Sequence, residues 1–216
     1  MDGNIYVSSG ASTNRVAIAG ENKFTVAAVS TLMGAWLIQL VCGSAMAMGS
    51  LIVYMVSYFR IVRKYNVNED SFFPLLPMIV TIASIAFPVA NHMIDNRFDG
   101  RSRPVCAIFS FVGLALIFSC LHELYSPNVF LVVYTLGFGI MKGGVEACVL
   151  RAGWSHLPKR KGLVSGIIIS GHGFGGAVFS MLFEEITNPG DIEPIVDKHD
   201  GNLYFPAEIG SRYPEM

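Results

Sequence analysis

The stretch VFLVVYTLGFGIMKGGVEACVL, residues 129–150, is apolar except for two charged side chains, Lys142 and Glu146. A helix rises ~1.5 Å per residue, so about 20 apolar residues cross the ~30 Å hydrocarbon core of a bilayer. This run has that length, and it has four companions. Apolar runs also occupy residues 25–59, 72–94, 104–121 and 163–183, joined by short connections that carry most of the Arg and Lys. A soluble domain of this size buries one or two such helices, not five in succession. The sequence therefore predicts an all-α integral membrane protein, with five transmembrane helices in a bundle over residues 25–184.

Composition points the same way. Hydrophobic residues make up 52% of the chain and charged ones only 14%, against about 25% charged in soluble domains. The mean hydropathy is +0.51. Twenty-two glycines suit helices that pack closely in lipid. The net charge of −1 says nothing about partners, because the two signs are segregated along the chain. Cys42, Cys106, Cys120 and Cys148 all lie in apolar runs without CxxC or CxxH spacing. They read as small buried hydrophobes rather than as a disulfide or a metal site.

Loop charge sets the orientation, because Lys and Arg in short connections stay on the cytoplasmic side. The second connection holds Arg97, Arg101 and Arg103; the fourth holds Arg151, Lys159, Arg160 and Lys161. The third, around residues 122–127, holds none. The segment after the fifth run is acidic, with Glu184, Glu185, Asp191, Glu193, Asp197 and Asp200. Connections two and four are thus expected inside, with a polar cytoplasmic tail over residues 1–24 and an acidic extracytoplasmic tail or loop over 185–216. The first connection dissents, since Arg60, Arg63 and Lys64 then face outward. The first 23 residues lack the basic start and apolar core of a signal peptide, so the first run itself is expected to direct insertion.

The second connection reads Asp95-Asn96-Arg97-Phe98-Asp99-Gly100-Arg101-Ser102-Arg103-Pro104. A carboxylate past one helix end accepts hydrogen bonds from a neighbouring helix N-terminus. Arginines pair with it and face the anionic inner leaflet, and glycine permits a tight reversal. Asp95 is the first choice for that carboxylate and Asp99 the second. Asn91 and His92 are expected at the cytoplasmic mouth beside Asp95. The loop resembles the signature between the second and third helices of the major facilitator superfamily, Gly-x-x-x-Asp-Arg-x-Gly-Arg-Arg. The stretch from Trp154 through Pro158, Lys159, Arg160, Lys161 and Gly162 to Gly166 is similar to the fourth-to-fifth helix junction of its oxalate/formate-antiporter-like and monocarboxylate-transporter-like members. Gly162, Gly166, Gly171, Gly173, Gly175 and Gly176 form a glycine-rich fifth helix, read as a close-packing surface. It resembles the antiporter-associated fifth-helix motif of that superfamily, without its proline.

The resemblance implies the first five helices of a twelve-helix fold, short of the sixth. It also implies a secondary transporter, or a truncated half of one, moving a small organic anion such as a monocarboxylate or an oxalate- or formate-like acid by alternating access. A missing C-terminal half or a homologous chain would then cover the exposed face. Beside that stands another class: a non-transporting paralogue that pairs with or regulates a full transporter.

Charge inside the membrane costs from ~3 to more than 10 kcal/mol and marks a pathway or a pair. Counted from the expected helix ends, Lys142 and His172 each lie about 14 Å deep and Glu146 about 9 Å. Lys142 and Glu146 are four apart and can touch along one helix face. They read either as a self-neutralising pair that makes insertion tolerable, or as an anion-attracting Lys142 with Glu146 as its releasable partner or proton site. His172 titrates near neutral pH and is either a packed neutral ring or a solute- or proton-handling group. Gln39 is a lesser cavity-facing candidate. Solute and ion pathway residues are therefore Lys142, Glu146, His172 and Gln39, with proton coupling left open. Pro74, Pro77 and Pro88, with Gly43 and Gly49, are expected to kink or thin the first two helices.

No nucleophile–base set, HExxH or Walker A pattern is present, and His122-Glu123 has no second histidine four residues on. The expectation is no enzyme, no catalytic residue, no cofactor and no metal. The partners are the lipid bilayer and a small solute, not nucleic acid.

Overall fold

A computed structural model describes residues 25–122, 126–196, 203–206 and 209. The expected polar tail over 1–24, most of the third connection, and much of the acidic tail lie outside the described residues.

Helix α1, Val26–Cys42, starts at Thr25, whose hydroxyl accepts the Ala28 amide at 3.2 Å. Gly43 keeps helical dihedrals and leads directly into α2, Ser44–Ser57, which ends in a π-turn over Tyr58–Val62. The first apolar run is thus a rod with one joint, ~55 Å long if straight. Its membrane-length part is Val26–Gly49. Helix α3, Leu75–Asn96, has Pro74 at its cap and Pro77 in its first turn, where the missing N–H is not needed. Pro88 is interior and leaves the Ser84 carbonyl without its helical donor. Helices α4, Ser102–His122, and α5, Pro127–His156, follow. A 3₁₀ turn at Pro158–Arg160 leads into α6, Lys161–Thr187. Among the described residues, five spans are long and apolar enough to cross a membrane, the first running from α1 into the start of α2.

Helix α6 continues past the expected end at residue 183 because Asn188 stops it instead. The Asn188 amide donates to the Glu184 carbonyl, and its side chain both donates to and accepts from Ile192. A short hairpin of β1, Ile195–Val196, and β2, Leu203–Tyr204, then folds over this end. Phe205 stacks on Tyr54 at 4.2 Å and its amide donates to Ser57 Oγ at 2.9 Å.

Helix α5 is the centre of the bundle, with half of its span buried against a third or less in the others. It packs on α3 and α4, while α1 and α2 pack on α6. Glycines set the spacing. A Cβ on Gly139 or Gly143 would strike Ile82 and the Ala83 backbone of α3, and one on Gly137 or Gly144 would strike Gly113 and Phe109 of α4. Between α1 and α6, Gly171 and Gly175 meet the carbonyls of Trp36 and Leu40, and Gly43 meets that of His172. The partners advance together, so α1 and α6 run parallel, as do α3 and α5, whereas α4 and α5 run antiparallel.

The expected glycine surface is corrected in part. Gly171, Gly175 and Gly176 are close-packed, but Gly162, Gly166 and Gly173 face open space. Helix α6 turns 100° per residue, and those three glycines point away from α1. Gly43 is the joint of the first rod and packs tightly, whereas a Cβ on Gly49 would make only ordinary contact.

Candidate functional site

Helix α5 carries Lys142 and Glu146 one turn apart on the same face. Lys142 Nζ donates to Glu146 Oε2 at 3.0 Å, and the side chains keep 14% and 23% of their exposure. Two charges held this way are mostly buried but not sealed. They line a cleft of about 350 Å³ whose other walls are Val80, Ala83, Ser84 and Phe87 of α3. Gly143, between the two charges in sequence, brings α5 against the Ala83 backbone. The cleft is therefore built by the same α3–α5 contact that organises the bundle. It offers one cation, one anion and a largely apolar wall.

His172 lies across the bundle on α6, at the glycine crossing with α1. Both of its ring nitrogens are buried without a hydrogen-bond partner among the described residues. Its ring stands beside the Gln39 backbone and within electrostatic reach of Lys142 and Glu146. Gln39 is buried, at 1% exposure. The four pathway residues named from the sequence thus come from α1, α5 and α6. Lys142 and Glu146 share a wall of the cleft, whereas His172 and the buried Gln39 lie at the α1–α6 crossing outside it. Ser84 and Phe87 were not anticipated; polar and aromatic residues recur along every apolar helix, and only the parallel register of α3 on α5 selects these two.

At the Arg-rich end, Arg151 of α5 forms an ion pair with Asp95 at the end of α3. Asp95, not Asp99, is the carboxylate that ties the loop to the bundle. The expectation that the loop's own arginines pair with it is corrected: Arg97, Arg101 and Arg103 are exposed, and the partner is Arg151. Asp99 and Gly100 both take positive φ, +49° and +80°, turning the chain back so that the Gly100 amide reaches the Ile94 carbonyl at 2.8 Å. That reversal carries the following arginines away from Asp95. His92 is exposed and Asn91 half-buried, one turn from Asp95. At the next junction Trp154 Nε1 donates to Ser165 Oγ at 2.9 Å and Lys161 lies over the Trp154 ring. His156 meets Thr31 of α1 at 3.2 Å.

At the opposite end Arg60 donates to the Tyr204 hydroxyl and stacks on its ring, 4.5 Å from the centroid. This places one of the dissenting cations of the first connection in a site provided by the hairpin.

No family model matches the chain, and no solved structure matches it. Among curated proteins it is similar to apicoplast pyruvate carrier 1 of Toxoplasma gondii, at 26% identity over 215 aligned residues. The alignment covers 82% of this chain and 38% of the carrier, so the chain spans well under half the length of that relative. Five apolar spans of crossing length among the described residues and a likeness to a membrane carrier together mark an integral, multi-pass membrane protein.

Proposed function

We propose that this chain is part of a secondary carrier for a small monocarboxylate, with Lys142 as the group that receives the carboxylate. The observation that carries the reading is the Lys142–Glu146 pair opening on the α3–α5 cleft. The likeness to a protein named as a pyruvate carrier supports the solute class. The two loop signatures support the finer reading, a first half of a major facilitator bundle that works by alternating access.

Charge balance suggests how the cleft would operate. Lys142 and Glu146 neutralise each other when the cleft is empty. A carboxylate that takes the ammonium group leaves Glu146 without its partner, and an unpaired charge in this low-dielectric setting is costly. A proton on Glu146 restores neutrality, so the anion and one proton enter together. A neutral imidazole has one donor and one acceptor nitrogen, so His172, which does not line the cleft, can hydrogen-bond a water at the α1–α6 crossing. An unmet buried donor costs about 1–3 kcal/mol, which such a contact would recover.

The test is uptake of labelled pyruvate into vesicles carrying the protein expressed from its own gene, with an inward proton gradient. Lys142→Met is expected to abolish uptake, and Glu146→Gln to leave it insensitive to the gradient. Unchanged uptake by the double variant Lys142→Met/Glu146→Leu would reduce the pair to a device for tolerating insertion.

A further inference from the structure

Helix α4 meets the centre of the bundle along a row that steps down α4 as it climbs α5. Gly113 packs on Met141, and Phe109 on Gly144. The next step brings Cys106 against Cys148. Helices α4 and α5 pack extensively; Cys148 belongs to an apolar cluster with Ala90, Val105 and Phe109, and Cys106 packs against that same cluster. Both are free cysteines, so neither sulfur is already bonded to another. Cys148 is buried and Cys106 half-buried, only ~6 Å along α4 from its start at Ser102. A reagent entering from the Arg-rich end therefore meets Cys106 first and finds a second thiol behind it. Neither cysteine belongs to the ion pair, the cleft or the loop contacts described above.

We propose that Cys106 and Cys148 form an interhelical dithiol that takes a trivalent arsenical. The spacing of 42 positions hides it in the sequence, where the four cysteines read as unrelated apolar residues. The reaction is a condensation. Each thiol gives its proton to the oxygen of an arsenoxide, two S–As bonds form, the As–O bonds break, and one water leaves. Nothing is oxidised or reduced. One arsenic then bridges α4 and α5, and its two bonds hold it far better than a single thiolate would. Cys42 lies in the neighbouring cluster with Cys106 packed against it, and Cys120 lies four turns further along α4. Cys120 is too far along α4 to complete the bridge with Cys148, and a Cys42–Cys106 bridge is the competing outcome.

The experiment treats the full protein in membranes with phenylarsine oxide and then maps its peptides and titrates its thiols. One phenylarsenic group joining the Cys106 and Cys148 peptides, with loss of two titratable thiols, is expected. A dithiol such as dimercaptopropanol should release it and a monothiol at the same thiol concentration should not. Cys106→Ser and Cys148→Ser should each prevent the bridge, while Cys42→Ser and Cys120→Ser should leave it intact. Adducts on single peptides, or a bridge between any other pair, would overturn the proposal. The peptide map on the unaltered protein decides the matter even where a variant fails to fold.

Discussion

At the scale of single residues, the decisive feature is a charge pair held in a place where charge is costly. Removing one member of a buried pair strands the other, at about 3–5 kcal/mol when burial is complete. The Lys142–Glu146 pair keeps part of its exposure through the cleft, so the lower end, about 3 kcal/mol, is expected for Lys142→Met or Glu146→Gln alone. The double variant Lys142→Met/Glu146→Leu should recover most of that loss, because it removes both charges at similar volume. Thermal unfolding in detergent, followed by the loss of monodisperse protein, measures all three. Singles as stable as the parent would mean that water, not the partner, solvates each charge. The pair itself was legible in the sequence, since two charges four apart in an apolar run can scarcely avoid each other. The Asp95–Arg151 ion pair was not. Its members are 56 positions apart, and only the parallel packing of α3 on α5 joins them. His172 was visible as a residue, but its two unpartnered nitrogens are a property of the α1–α6 crossing.

At the scale of helices, glycine decides where backbones touch. Gly143 meets the Ala83 backbone and Gly175 the Leu40 backbone, so an added methyl at either must push two helices apart. Overpacking of this kind costs about 1–3 kcal/mol. Gly143→Ala and Gly175→Ala should therefore lower the thermal midpoint. Gly166→Ala and Gly173→Ala meet open space and should leave it unchanged or raise it, since alanine is favoured over glycine in a helix by up to ~1 kcal/mol. The same unfolding measurement compares the four, and equal losses across them would refute the assignment of faces. The glycines of α6 are legible in the sequence, but which of them pack is not. Lipid and protein interior are equally apolar, so a spanning helix shows little difference between its buried and its lipid-facing sides. Gly137, Gly139, Gly143 and Gly144 serve two faces of α5 at once and so show no single repeat in the sequence.

At the scale of the whole molecule, the two ends differ in charge, and that difference argues for an orientation. One end gathers Arg97, Arg101, Arg103, Lys159, Arg160 and Lys161, with Arg151 engaged by Asp95. The other end brings Arg60, Arg63 and Lys64 together with Glu184, Glu185, Asp191 and Glu193, because α2 and α6 run the same way. Within the dissenting first connection, Arg60 is held by Tyr204, while the count of cations there stays at three. The positive-inside rule counts Lys and Arg near the helix ends, so the end that carries seven of these cations rather than three should face the cytoplasm. Single cysteines report this directly. In a Cys106→Ser background, with the other native thiols buried in the bundle, Glu193→Cys and Arg101→Cys mark the two ends. In intact bacterial cells carrying the protein in their inner membrane, a membrane-impermeant maleimide should label Glu193→Cys. Arg101→Cys should react only after the cells are opened. The opposite pattern would place the Asp95–Arg151 pair on the outer face, and the resemblance of that loop to a cytoplasmic transporter signature would lose its topological basis.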